Sequence, residues 1–364
     1  MRIGIIGCGN ISTIYLKNLP TFEGLTVVGC ADLAPERAQA QAVAFNVPWA
    51  GSVEDLLARA DVDLVVNLTV PAVHAAVSRL ALEAGKHVYS EKPLAIHRDD
   101  GRALLALAEA RGLRIGGAPD TFLGGGLQTC RKLIDDGVIG QPVAATAFMM
   151  GHGPETWHPD PAFFYEVGAG PLFDMGPYYI TALVNLLGGV QRVSAAARIS
   201  FPERVISSDP HAGEVIHVKT PTHVVANMDL AGGALATMIT SFDVWGSQVP
   251  RIEVYGSEAT LGVPDPNTFG GPVLLRKAGE KTFSELPLTY GYTVNSRGLG
   301  VADMADAIRS GRPARAGGAL TYHVLDTMQT ILDATEAGTW LNVSSSVERP
   351  AALPVGLPPG RVAL

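Results

Sequence analysis

The run Tyr89-Ser90-Glu91-Lys92-Pro93 places an ammonium directly after a strand pattern, Gly85-Lys86-His87-Val88. Open α/β sheets receive their ligands at the carboxyl ends of the strands, so a lysine there is placed to meet one. Pro93 has no amide hydrogen, holds its own φ near one value and disfavours the helical region for the residue before it. Lys92 is therefore aimed by a stiff corner and not by a mobile loop. Further on, Asp174 and Tyr178 lie in the stretch from Ala169 that leads into a helix through Leu187. Between them and Lys92 lies an aromatic-rich loop, Gly151-His152-Gly153-Pro154-Glu155-Thr156-Trp157-His158-Pro159-Asp160-Pro161, followed by Phe163-Phe164-Tyr165. Long loops of this kind are disproportionately binding elements. Aromatic planes beside hydrogen-bonding tips suit a sugar, with its apolar C–H faces and hydroxyl edges. Trp157 and His158 are the candidates for substrate contact, whereas Phe163 and Phe164 equally suit a plug onto the core.

Such groups need a platform. Ile3 to Ile6 is a short apolar run that breaks into Gly7-Cys8-Gly9-Asn10-Ile11-Ser12, and an amphipathic segment, Ile14 to Leu19, follows. In this strand-to-helix setting G-x-G-x-x-S reads as a dinucleotide fingerprint: the first glycine permits the tight turn, the second lets backbone approach a pyrophosphate, and the third position wants a small side chain. Gly7, Gly9, Asn10 and Ile11 are thus expected to touch a cofactor, and Ser12 is small enough for the third place. A second strand, Leu25 to Cys30, ends in Ala31-Asp32, whose carboxylate is placed to accept from the adenosine ribose hydroxyls and to repel a 2′-phosphate. The nearest arginine is Arg37, so NAD is expected over NADP. A rival role for Asp32 is to cap the helix begun by Pro35 and Glu36. Asp63 to Thr69 is apolar apart from Asn67, as suits a parallel strand covered on both faces. Ser52 with Asp55 three residues on reads as a helix start, and Pro71 and His74 open the helix that runs to Gly85. Asn67, Thr69, Pro71, His74, Glu91 and Lys92 complete the expected cofactor lining. After a helix from Asp99 to Ala110 and a strand at 113–117, Asp120 lies on the crossing to the next domain, at the substrate side, and three glycines at 124–126 mark the boundary.

The order Gly7-x-Gly9, Asp32, Asn67-x-x-x-Pro71-x-x-His74 and Glu91-Lys92-Pro93 resembles the glucose-fructose oxidoreductase / inositol dehydrogenase / rhizopine-catabolism (Gfo/Idh/MocA) family. The Glu-Lys-Pro element at this distance from the glycine turn is the specific part of the likeness. The resemblance implies that Lys92 contacts a substrate hydroxyl beside the nicotinamide, and that the reaction is oxidation of a carbinol of a sugar, cyclitol or related polyol, or its reverse. The family carries a D-x-G-x-H element where this chain has Asp174-Met175-Gly176-Pro177-Tyr178, so Tyr178 stands where the histidine belongs. Three assignments of the proton transfer follow. Tyr178, whose ordinary pKa is about 10, acts with a nearby cation such as Lys92 lowering it; His158, with His152 behind it, reaches in from the loop; or Lys92 relays the proton with Asp174 orienting it. Two rival functions are transient NAD oxidation that assists glycoside elimination, and a non-catalytic dinucleotide sensor.

The remainder alternates in short strands from Arg192 to about Leu288, with Ala231-Gly232-Gly233 as a hairpin turn. The expected fold is an α/β Rossmann domain plus an α+β domain with an open, mostly antiparallel sheet, divided as 1–121, 122–348 and an extended tail at 349–364, with the last helices packing toward the first domain and Tyr322 and His323 on one of them. A sheet face left open calls for another subunit, hence a homodimer or homotetramer. The chain of 364 residues is 47% hydrophobic and 17% charged with a net charge of −8 and no basic run, which argues against nucleic acid or an anionic membrane as partner. Cys8, Cys30 and Cys130 form no C-x-x-C pair, and His211, His217 and His223 recur without partner ligands, so no metal is expected. Without a membrane-length apolar run or a signal-like start, the cytoplasm is the expected compartment.

Overall fold

The computed structural model describes residues 1–364. The chain divides into two compact units: Met1–Gln128, Thr289–Leu325 and Pro350–Leu364 form one, Thr129–Leu288 and Asp326–Arg349 the other. Both units are thus discontinuous in sequence, whereas the expected division was linear with breaks at 121 and 348.

In the first unit, strands β1 (Arg2–Ile6), β2 (Thr26–Ala31), β3 (Ala50–Gly51), β4 (Leu64–Asn67), β5 (His87–Ser90) and β6 (Ile115–Gly117) alternate with helices α1 (Ser12–Asn18), α2 (Pro35–Ala44), α3 (Val53–Ala58), α4 (His74–Glu83) and α5 (Arg98–Ala110). The strand order is β3-β2-β1-β4-β5-β6 and every neighbouring pair is parallel. The order reverses between β1 and β4, the switch point at which such sheets bind dinucleotides. Ile3, Ile5, Leu64, Val65 and Val66 are fully buried, which is why these strands read as unbroken apolar runs. Ser52 caps α3 as expected: its Oγ accepts from the Asp55 amide at 3.0 Å and donates to Asp55 Oδ2 at 2.8 Å.

Helix α6 (Gly125–Asp135) starts inside the triple glycine that composition marks as a linker. The reason is steric: a Cβ on Gly125 would lie 2.6 Å from the Tyr290 carbonyl oxygen and 2.7 Å from that of Gly291, so the residue is small for packing. The second unit contains β7 (Pro142–Met150), α7 (Gly170–Leu187), β8 (Val190–Arg198), β9 (Glu203–Val205), β10 (Val215–His217), β11 (His223–Leu230), β12 (Leu235–Ser241), β13 (Ile252–Gly256), β14 (Ala259–Val263), β15 (Val273–Lys277) and β16 (Ser284–Leu286). With β17 (Leu341–Asn342), nine of these strands form one sheet in the order β16-β15-β14-β13-β7-β12-β11-β8-β17. Only β7 and β12 pair in parallel, so the sheet is mostly antiparallel. Residues alternate along it: Val224, Ala226, Met228 and Leu230 of β11 are buried, while His223, Val225 and Asn227 are not. Helix α7 packs on β7, β11 and β12. Strands β9 and β10 pair only with each other, so the segment expected to extend the large sheet at 214–219 lies apart from it.

Helix α8 (Leu299–Ser310) and the first part of α9 (Gly318–Ala337) belong to the first unit. Asp303 of α8 is fully buried and ion-paired with Arg312 at 2.7 Å and Arg315 at 2.6 Å. Arg315 Nε also donates to the Ala351 carbonyl at 3.0 Å, and the Leu353 amide donates to Gln128 Oε1 at 2.8 Å. These bonds fasten the tail Pro350–Leu364, which has no helix or strand of its own.

Candidate active site

The glycine turn sits at the carboxyl end of β1. Gly7 has φ +96°, and a Cβ on it would stand 2.6 Å from the Leu68 carbonyl carbon, so both conformation and space exclude a side chain. A Cβ on Gly9 would meet no protein atom within 4 Å: backbone there faces open space that a phosphate can enter. Ser12 is fully buried, and its hydroxyl donates to the Gly9 carbonyl at 2.6 Å, which satisfies the polar atom that a glycine or alanine would not bring. Asp32 Oδ2 accepts from the Cys8 amide at 2.7 Å and Oδ1 from the Ala34 amide at 2.9 Å. It does not cap α2, whose N-cap is Ala34 without a side-chain bond. Each carboxylate oxygen keeps a further lone pair, so Asp32 fixes the turn and retains acceptors for ribose hydroxyls.

The Lys92 corner is tied from below. The Glu91 amide donates to the Asn67 carbonyl at 2.8 Å; Glu91 Oε1 accepts from the Tyr15 hydroxyl at 2.9 Å and Oε2 from the Lys92 amide at 3.0 Å. Tyr15 is fully buried, and burial followed by the Glu91 charge raises its pKa well above the ordinary value, which keeps it a donor. His74 is 1% exposed, with Nδ1 2.7 Å from the Pro93 carbonyl and Nε2 2.9 Å from that of Thr69. Two carbonyl oxygens ask for two ring donors, and a neutral imidazole has one. Burial lowers the His74 pKa, while the two carbonyls and Glu91 pull the other way. Either way the ring links the residue after Lys92 to the loop after β4. The Lys92–Pro93 peptide is cis.

Several expected ligand contacts turn out to be internal. Asn67 is fully buried; its Nδ2 donates to the His74 carbonyl and Ser78 Oγ, both at 3.0 Å, and its Oδ1 accepts from the amide and hydroxyl of Thr69 at 3.2 and 2.7 Å. Asn67 and His74 therefore shape the loop that carries Thr69 and Pro71. Asp120, expected on the substrate side, is 1% exposed, and its Oδ2 accepts the amides of Gly298 and Gly300, each at 2.9 Å. It holds the first turn of α8. Burial raises its pKa to about 6 against the pull of those amides.

In the second unit, Asp174 and Tyr178 lie one turn apart on α7, Asp174 half-buried and Tyr178 7% exposed. Pro177 sits between them and donates no helical hydrogen bond. In the aromatic loop Trp157 is 66% exposed and meets the His158 ring edge-on at 5.4 Å, while His158 also touches Phe163 and Phe164 at 5.5 and 5.1 Å. His158 Nδ1 accepts from the Asp160 amide at 3.0 Å. A neutral His158 therefore carries its proton on Nε2, and the nitrogen free to meet a ligand is a donor. Tyr15 was missed in the sequence because nothing local marks a tyrosine whose partner lies in another loop.

Residues 1–117 match the model described as "Oxidoreductase family, NAD-binding Rossmann fold", and residues 127–262 match the GFO/IDH/MocA C-terminal domain. Among named relatives, 1,5-anhydro-D-fructose reductase of Ensifer adhaerens is 30% identical over 294 residues, covering 79% of this chain and 83% of that protein. The chain belongs to the Gfo/Idh/MocA oxidoreductase family. A dTDP-3,4-didehydro-2,6-dideoxy-alpha-D-glucose 3-reductase of Streptomyces violaceoruber is 33% identical over 199 residues, 54% of this chain and 57% of that protein. The structure of a levoglucosan dehydrogenase in complex with NADH superposes with TM-score 0.80 over 95% of this chain and 99% of that one, at 20% identity, which shows a shared fold. The first unit of this Gfo/Idh/MocA oxidoreductase accordingly holds the family's NAD-binding Rossmann domain, and the open Gly9 turn and the spare Asp32 acceptors fit that cofactor.

Proposed function

We propose that this oxidoreductase works between NAD and a carbinol carbon of a sugar, cyclitol or glycoside. The bound nicotinamide supplies the hydride chemistry. The protein's part is orientation and fixed charge. Backbone at Gly9, Asn10 and Ile11 takes the diphosphate over the turn that Gly7 permits, the Gly7 amide itself donating to the Ala31 carbonyl at 2.9 Å; Asp32 takes the adenosine ribose, with NAD preferred over NADP because a 2′-phosphate would face that carboxylate. Thr69 and Pro71, on the loop shaped by Asn67 and His74, line the nicotinamide end. Lys92 polarises the reacting oxygen. The observation that carries the reading is the bracing of this one lysine: Tyr15, Glu91 and His74, all buried, spend their hydrogen bonds on its corner.

From the second unit, Asp174 orients the substrate, Trp157 stacks on it, and Tyr178 moves the proton. Tyr178 is preferred to His158 because the His158 nitrogen left for a ligand is a donor; His158 instead offers a hydrogen bond to a substrate oxygen. Relatives named for sugar substrates support the substrate class. No helix is long and apolar enough to cross a membrane. A cytoplasmic homodimer or homotetramer, with copies meeting over Val225, Leu235 and Ile239 of the sheet, belongs to the same proposal. The test is a panel of sugars, cyclitols and glycosides offered with NAD and NADP in parallel. Steady accumulation of NADH on one of them supports the reading; release of an aglycone without net NADH contradicts it and supports transient oxidation.

A further inference from the structure

The reaction as proposed makes no use of one buried ionic cluster in the second unit. Arg204, on β9, is 6% exposed, and its Nη1 donates to Glu155 Oε1 at 2.7 Å and to the His152 carbonyl at 3.4 Å. Its Nη2 donates to the Phe242 carbonyl at 3.0 Å and pairs with Asp243. The guanidinium also lies over the rings of Tyr165 and Phe201 at 5.7 and 5.4 Å. Glu155 and Asp243 are themselves 5% and 8% exposed. Glu155 Oε2 takes the Tyr165 hydroxyl, and the Glu155 carbonyl takes the amides of Ser207 and Ser208 at 2.9 and 3.2 Å. Ser208 Oγ then donates to the His158 carbonyl at 2.5 Å.

Three charges buried together are a poor source of stability, since desolvation consumes most of their attraction. What a planar guanidinium does supply is direction, because its fork fixes two partners at once. The two partners here are the roots of two loops. Glu155 precedes Trp157 and His158, and Asp243 precedes Trp245, which is 84% exposed yet held flat on His152 at 3.3 Å between ring centres. Strand β9, which carries Arg204, pairs with β10 alone.

We propose that Arg204 is a positioning residue for substrate recognition: by bridging Glu155 and Asp243 it sets the loop carrying Trp157 and His158 against the loop carrying Trp245. The inference rests on the sugar oxidoreductase reading above. Arg204→Lys removes the fork and keeps the charge; Glu155→Gln keeps the size and removes one acceptor, and serves should the first variant fail to fold. Each variant should raise KM for the sugar by about tenfold or more while KM for NAD stays within about twofold. A purely structural role would reduce the fraction of active molecules, lowering kcat with KM unchanged, and that result overturns the proposal. A second readout needs no turnover: chymotrypsin should cut after Trp157 and Phe163 about tenfold faster in the variants than in the native protein. Were the native enzyme inert on every polyol, the functional reading would fail, and cleavage alone would decide the clamp. Faster cutting upholds it; cutting at the native rate overturns it.

Discussion

Asp120 spends one carboxylate oxygen on two amides at the start of α8, and it does so without access to water. Burial leaves its pKa at about 6 against an ordinary 3.8. The folded protein therefore binds this proton more tightly than the unfolded chain. The associated stability is fully present below the unfolded value and is lost as pH rises through the folded one. Asp120→Asn keeps an acceptor for both amides and removes the titration. Urea unfolding of the two proteins should thus show the native protein losing about 2 kcal/mol relative to the variant between about pH 4 and pH 7; parallel pH curves would contradict the burial argument. The proton-transfer assignment also belongs to single residues. Tyr178→Phe should lose turnover by about 10²- to 10⁴-fold with NAD affinity unchanged. His158→Ala should mainly raise KM for the sugar, measured by initial rates. The reverse pattern would return the base to His158.

Among the elements, the glycine turn offers the sharpest contrast. At Gly7 an added Cβ collides with backbone and must adopt φ +96°, whereas at Gly9 it meets nothing in the protein. Gly7→Ala should cost about 2 kcal/mol or more in folding stability along with NAD affinity. Gly9→Ala should leave the melting temperature near native and still weaken NAD binding by about tenfold, measured by calorimetric titration; unchanged affinity would mean that no phosphate approaches there. Such features are legible in sequence because their cause is local. The turn, the Ser52 cap, the parallel run of β4 and the stiff corner at Pro93 all follow from residue types within a few positions. The bracing of that corner is not legible, since the Tyr15–Glu91 and Asp120–Gly298 bonds span 76 and 178 positions. Gly125 misleads for a related reason. A glycine is a weak helix former, and only the carbonyls of Tyr290 and Gly291 show why α6 begins with one.

Across the whole molecule, the class of each unit was legible from alternating periodicities, but the route of the chain was not. Period-two patterning announces strands at 214–219 as clearly as at 223–230, yet the first pairs only with β9 and the second lies deep in the large sheet. A strand's pattern tells which side chains are buried and says nothing of which strand lies beside it. The return of Thr289–Leu325 and the tail to the first unit is likewise set by distant contacts, such as Arg315 with Asp303 and with the Ala351 carbonyl.

In the function proposed, the braced Lys92 acts on the reacting oxygen and not on the cofactor's grip. Lys92→Met retains the bulk of the stem and removes the charge. The decisive measurement is therefore NADH formation by the native and Lys92→Met proteins on the same sugar, beside NAD affinity by titration. Lys92→Met should lower kcat by about 10³-fold and leave the NAD dissociation constant within about threefold of native. Turnover within about tenfold of native in the variant would contradict it.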